Sequence, residues 1–174
     1  IDSTIAGGKN NDFITVGARF DITGSTVAGG FGSDHIRVTA SRDILSTSVR
    51  GGGGSATSTD KADTISIQSG GSISATSVQG NAGADSIYAY SVLVDGSSVF
   101  GGADSDTINV TASTVSATDV YGGAGADTLD VNASSVISSS TIYGANDANT
   151  TKDGADFIQV TGGTTITSSL INGN

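Results

Sequence analysis

Gly122-Gly123-Ala124-Gly125-Ala126-Asp127-Thr128-Leu129-Asp130-Val131 decides the fold: a glycine-rich turn, one aspartate, then a short strand with alternate apolar residues. The arrangement returns at Gly29-Gly30-Phe31-Gly32-Ser33-Asp34-His35-Ile36-Arg37-Val38 and at Gly80-Asn81-Ala82-Gly83-Ala84-Asp85-Ser86-Ile87. Working outward from these copies, the aspartate stands seven times, as Asp12, Asp34, Asp63, Asp85, Asp106, Asp127 and Asp156. The spacings are 22, 29, 22, 21, 21 and 29 residues. A fixed period near 21 is the mark of a solenoid, in which each repeat is one coil stacked on the next. It sets the seven carboxylates in a row along one edge.

Apolar columns share the register. Two residues after each aspartate stands Ile14, Ile36, Ile65, Ile87, Ile108, Leu129 or Ile158. Nine or ten residues after it stands Ile22, Ile44, Ile73, Val94, Val115, Ile137 or Ile166, and five further on Val27, Val49, Val78, Val99, Val120, Ile142 or Ile171, with Ile5 starting that series. β-Branched residues suit strands. A partner four residues after each aspartate (Val16, Val38, Ile67, Ala89, Val110, Val131, Val160) gives the first strand its period of two.

The predicted architecture is all-β: a right-handed parallel β-solenoid of seven to eight coils of 21–22 residues, the hand following from the crossover rule. Residues 1–174 read as one repeat segment, with coils starting near residues 5, 27, 49, 78, 99, 120, 142 and 171. Neither end carries a polar capping segment, so a piece of a longer solenoid is expected. In the coil from Val99 to Asp119 the reading gives a strand over residues 107–111 and a second over 114–118, the latter with Val115 and Ala117 inward.

Composition narrows the function classes. The chain has no Glu, Pro, Cys, Met or Trp, and its formal net charge of −10 is carried entirely by Asp. Helix formers are scarce and turn formers abundant, so no helix is expected. The charge disfavours nucleic acid, which needs basic stripes, and favours cations. No run of about 20 apolar residues exists, so no membrane span is expected. Without cysteine there is no disulfide scaffold, and a metal is the obvious staple. Hydroxyl-rich, cysteine-free sequence of this kind reads as extracellular or cell-surface.

Two turns are seven residues longer than the rest, over residues 51–60 and 144–153. Insertions in solenoids bulge from one face, so these read as outward loops, either tolerated or binding.

The turn motif resembles the RTX nonapeptide, GGxGxDxUx, of secreted calcium-binding β-rolls. The resemblance implies that carbonyls of the glycine run and carboxylates of neighbouring turns enclose Ca²⁺. Carried onto this chain, it implies metal ligands at Asp12, Asp34, Asp63, Asp85, Asp106, Asp127 and Asp156, with Gly29, Gly80, Gly101 and Gly122. The match is full at Asp34 and Asp127 and close at Asp85. Asn10 and Asp104 replace the fourth-position glycine before Asp12 and Asp106; both residue types tolerate a left-handed backbone. Lys61 takes that position before Asp63, and the turn before Asp156 is displaced by its insert. A β-roll has 18 residues per coil and two ion rows. Here one motif occurs per 21 or 22 residues, so one row is expected.

Electrostatics points the same way. Carboxylates stacked at the strand spacing of about 4.8 Å repel by roughly 3 to 4 kcal/mol per pair at an effective dielectric near 20. A divalent cation between them reverses that sign. An oxygen-only donor set suits Ca²⁺ better than Zn²⁺ or Mg²⁺. The competing reading is that each Asp caps its own turn by bonding local amides.

Other constellations are weaker. His35 reads as a solvated strand residue. Asp21, Asp43, Asp95, Asp119 and Asp130 lie off the row and offer an acid pair of the glycosidase kind, but no coil breaks pattern to form a pocket, so no catalysis is expected. Phe100, Tyr121 and Tyr143 form an exposed or stacked ladder, and no Thr-x-Thr row persists to suggest ice binding. The function expected is a non-catalytic Ca²⁺-binding rod segment of a secreted, cell-surface or surface-layer protein. Its partners would be neighbouring repeats of a longer chain or other copies in a filament or layer. The alternatives are a receptor-binding fibre or adhesin shaft, and the non-catalytic tail of a secreted enzyme.

Overall fold

The computed structural model describes residues 2–52, 60–145, 154–163 and 165–173. β1 (Thr4–Lys9), β2 (Phe13–Ala18) and β3 (Ile22–Thr23) are the first strand set. The second is β4 (Thr26–Phe31), β5 (His35–Ala40) and β6 (Ile44–Leu45), and the third β7 (Ser48–Gly52), β8 (Thr64–Ser69) and β9 (Ser72–Ser74). The fourth is β10 (Ser77–Ala82), β11 (Ser86–Tyr90) and β12 (Leu93–Asp95). In the next two, β13 (Ser98–Ala103) precedes one long strand β14 (Thr107–Ser116), and β15 (Asp119–Ala124) precedes β16 (Thr128–Ser138). β17 (Thr141–Ala145), β18 (Phe157–Gly162), β19 (Thr165–Thr167) and β20 (Leu170–Asn172) follow. The described residues contain no helix.

Every strand pairs in parallel with its equivalent one coil away. One sheet runs β1-β4-β7-β10-β13-β15-β17-β20; the other collects the remaining strands. Ile5, Val27, Val49, Val78, Val99, Val120, Ile142 and Ile171 pair in that order down the first sheet, so the third apolar column is a physical one. The other columns behave alike: Ile36, Ile65, Ile87, Ile108 and Leu129 are fully buried, as are Ile22, Ile44, Val94, Val115 and Ile137. Burying one such side chain stabilises by roughly 1.5–3 kcal/mol. Repeated along four columns, that sum is what holds a core only one coil wide.

The fold is a parallel β-solenoid repeat protein of about six turns. The count is slightly below the seven to eight expected, because β1 and β18–β20 are largely exposed and enclose no buried core of their own. A second correction concerns residues 107–118. They form one strand as far as Ser116, and Ala117 is exposed, turning the corner with φ 46°; Thr118, not Ala117, points inward. Asp106 to Val115 is nine residues and Asp127 to Ile137 is ten, and the extra residue is absorbed as a register shift between Ala112 and Thr114.

Candidate functional site

The glycine turn joins the end of each first-sheet strand to the start of the second sheet, and the ladder aspartate is the corner residue. A corner N–H lies outside strand pairing and needs another acceptor. The aspartate of the next coil supplies it. Asp12 N–H donates to Asp34 Oδ1 (2.7 Å), Asp34 to Asp63 (2.6 Å), Asp63 to Asp85 (2.7 Å), Asp85 to Asp106 (2.7 Å), Asp106 to Asp127 (2.8 Å) and Asp127 to Asp156 (2.9 Å). All seven predicted aspartates are therefore one unbroken row. Asp63 takes its place in it although Lys61 precedes it. The capping reading is right about the chemistry of one oxygen, but the capped amide belongs to the neighbouring coil, not to the same turn.

The second oxygen is different. Oδ2 of Asp12, Asp34, Asp63, Asp85 and Asp106 is buried and has no hydrogen-bond partner. These side chains lie inside the coil; Asp85 is 1 % exposed and Asp106 2 %. Each Oδ2 sits against the first glycine of its turn. A Cβ on Gly29, Gly80, Gly101 or Gly122 would overlap that oxygen and the carbonyl oxygen of the equivalent glycine one coil on. Gly7, Gly51 and Gly144 belong to the same column. The glycines are thus needed for space, and they bring a carbonyl oxygen towards each leftover carboxylate oxygen. The left-handed turn geometry holds without glycine where expected: Asn10 has φ 75° and Asp104 φ 73°.

Burial pushes the carboxyls of Asp34, Asp63, Asp85 and Asp106 up. Asp85 and Asp106 are each raised to about 8, and Asp63 to about 7, first by desolvation; the backbone bond each accepts opposes this, and neighbouring carboxylates add to it. Asp34 is raised for the same reasons, with Asp12 as its like-charged neighbour. Asp43, off the row, moves the other way, because the Ser72 N–H and Oγ–H both donate to its Oδ1 (2.7 and 2.8 Å).

Two features went unread in the sequence. The first is a buried hydroxyl column at the opposite corner: Ser25, Thr47, Thr76, Ser97, Thr118 and Ser140, each at most 3 % exposed. Every one follows a left-handed residue (Gly24, Ser46, Ala75, Gly96, Ala117, Ser139). Its signal was a Ser or Thr two positions before each third-column Val or Ile. The second is Asp60, the last residue of the first insert, which is buried beside the row. The rest of that insert, residues 53–59, and residues 146–153 of the other lie outside the described residues, so the expected outward loops are not seen. The insert ends that are described are ordered: Gly51–Gly52 and Gly144–Ala145 close β7 and β17.

His35 is half-buried and stacks on Phe13 with ring centroids 4.8 Å apart. Phe100, Tyr121 and Tyr143 stack in turn at 5.1 and 5.7 Å, nearly coplanar in orientation, as the ladder reading expected. Asp130 accepts a bond from Asn109 Nδ2 (3.3 Å), and Asp21 lies 3.9 Å from Arg42 Nε. An open depression of about 830 Å³ is lined by Lys9, Asn10, Asn11, Phe31, Gly32 and Lys61, with no carboxylate among them. Among the described residues no three His, Cys, Asp or Glu side chains gather into a metal cluster, and no helix is long and apolar enough to cross a membrane.

Fold and edge together define the class: a parallel β-solenoid repeat protein with an internal aspartate–glycine row. No match to this chain is found among protein-family models, curated proteins or solved structures.

Proposed function

We propose that this chain is a non-catalytic structural rod segment stapled by Ca²⁺ along the aspartate edge, part of a secreted or cell-surface protein. The observation that carries the reading is the row of buried, unpartnered Oδ2 atoms, each facing glycine carbonyl oxygen. The donors fit a hard cation: they are all oxygen, from carboxylates and carbonyls. With one carboxylate per coil, an ion between two coils would take its side-chain oxygens from both. Asp12, Asp34, Asp63, Asp85, Asp106, Asp127 and Asp156 would hold it, with carbonyls of the Gly29, Gly80, Gly101 and Gly122 column. The ion supplies charge neutralisation, offsetting repulsion of roughly 3 kcal/mol per adjacent pair. The non-catalytic part of the proposal rests on where the acids go: seven of the 17 aspartates form the row, and none lines the open depression beside Phe31.

Binding that exists only in the folded chain is folding free energy. Excess EDTA at neutral pH is therefore expected to lower the melting temperature sharply and to reduce the strand signal in circular dichroism. An unchanged spectrum and melting point in EDTA would remove the calcium assignment.

A further inference from the structure

The coil that carries the first insert differs from its neighbours inside the rod. In the three following coils the residue three before the ladder aspartate is Ala82, Ala103 or Ala124. Here it is Asp60, which is buried with 9 % of its surface exposed. Its Oδ1 accepts the Lys61 N–H (3.2 Å), and the Ala82 amide of the next coil also bonds the carboxylate. Oδ2 of Asp60 is buried and has no hydrogen-bond partner. It fills the space a side chain on Gly52 would take, while Oδ2 of Asp63, also unpartnered, fills that over Gly51. The Gly80 carbonyl oxygen faces the same place, 2.9 Å from where a Gly51 Cβ would stand.

One turn thus sets two buried carboxylate oxygens without partners beside consecutive glycines, where each neighbouring coil sets one. Lys61, adjacent in the chain, is exposed. The other inserted turn ends in the same order, Asp153-Gly154-Ala155-Asp156, and no turn of normal length does. An insert that returned to the coil only to close a loop would need no aspartate there, since alanine serves in the coils after it.

We propose that the insert-bearing coil holds a divalent-cation site of its own, in which Asp60 and Asp63 both supply carboxylate oxygen and the Gly80 carbonyl adds to the set. An oxygen-only donor set of two carboxylates and carbonyl selects a hard cation of the Ca²⁺ class. Affinity in such sites rises with the charge of the ligands, and Asp60 adds a carboxylate to what the row supplies in every coil, so this site is expected to be the tightest on the rod. It stands on a residue outside the repeated motif and does not require the single-carboxylate coils to bind ions.

The experiment is a calorimetric titration of metal-stripped protein with Ca²⁺, for the parent, Asp60→Ala, Asp60→Asn and Asp106→Asn. Alanine is the residue that neighbouring coils carry, and asparagine keeps the shape should alanine impair folding, which circular dichroism reports. Both Asp60 variants are expected to lose one ion per chain and the tightest binding step, with at least a tenfold fall in affinity there. Asp106→Asn is expected to keep that step. Folded Asp60 variants that bind as many ions as the parent, equally tightly, overturn this proposal while leaving the row intact. Loss of the only bound ion in the Asp60 variants, with Asp106→Asn unaffected, upholds it and removes the row. A parent that binds no Ca²⁺ removes both.

Discussion

The two corners of each coil perform the same backbone task with different side chains. At the glycine edge, the corner N–H of one coil donates to an aspartate of the next at 2.6–2.9 Å. At the opposite edge, Thr76 N–H donates to Ser97 Oγ (3.2 Å) and Thr118 N–H to Ser140 Oγ (3.3 Å). A hydroxyl is complete once it accepts that bond and donates its own proton. Thr118 Oγ1 donates to the Ser116 carbonyl at 2.8 Å, and Ser97 Oγ to the Asp95 carbonyl at 3.1 Å. A carboxylate has a second oxygen and a charge left over. Had the fold needed only a cap, the cheaper hydroxyl was available on the same rod. The difference teaches that the aspartate edge carries an oxygen and a charge that the hydroxyl edge does not; on the calcium proposal, sensitivity to cations and protons is expected at that edge alone.

The largest expected contrast is with pH. Asp63, Asp85 and Asp106 titrate near 7 to 8 in the folded, metal-free chain and near 4 when unfolded. The folded state thus holds protons that the unfolded state releases between those values. In EDTA, stability is greatest below about pH 4 and falls as pH rises to about 8. Saturating Ca²⁺ flattens the profile. Melting curves across that range check this; a chelated protein equally stable at pH 4 and pH 8 would break the comparison.

Glycine substitutions sharpen it sterically. Gly101→Ala drives a methyl into Asp106 Oδ2 and the Gly122 carbonyl, whereas at Gly96, on the hydroxyl edge, nothing lies within 4 Å of the added Cβ. Gly101→Ala is expected to cost about 3 kcal/mol or more. Gly96→Ala, with φ 54°, is expected to cost only the left-handed penalty of about 1 kcal/mol. Chemical denaturation of both variants measures the gap, and equal losses would show that the aspartate edge is not close-packed.

The aspartate edge was legible in the sequence and the hydroxyl edge was not, for a reason of background. Asp is the only acidic residue type here, and its period stands out against polar neutral residues. Ser and Thr fill turns, exposed strand faces and corners alike, so a buried Thr118 looks no different from an exposed Thr107. The left-handed corner was hidden too, since Ala75 and Ala117 occupy it as well as Gly24 and Gly96. Strand columns were read correctly because β-branched residues at fixed offsets leave no other way to bury them. The span from Asp106 to Val115 misled by one corner: Ala117 continues the alternation on paper, but the chain turns there and Thr118 goes inward instead. Asp60 reads in the sequence as the tail of a loop, because no repeat column predicts a carboxylate at its position.

One pair of variants tests the central claim most directly. Asp106→Asn removes a carboxylate charge and Thr118→Val a hydroxyl, each from a buried corner of the same region, Asp106 at 2 % exposure and Thr118 at 0 %. The measurement is the number of Ca²⁺ ions bound per chain by calorimetry, with unfolding free energy in Ca²⁺ and in EDTA alongside. The account predicts that Thr118→Val binds as many ions as the parent and loses about 1 kcal/mol in either buffer, as for one buried hydrogen bond. It predicts that Asp106→Asn binds fewer ions, and that its loss of stability is large in Ca²⁺ and shrinks or reverses in EDTA. If Asp106→Asn binds the parent's full number of ions at unchanged affinity, the aspartate edge is a cap like the other, and the cation row does not exist.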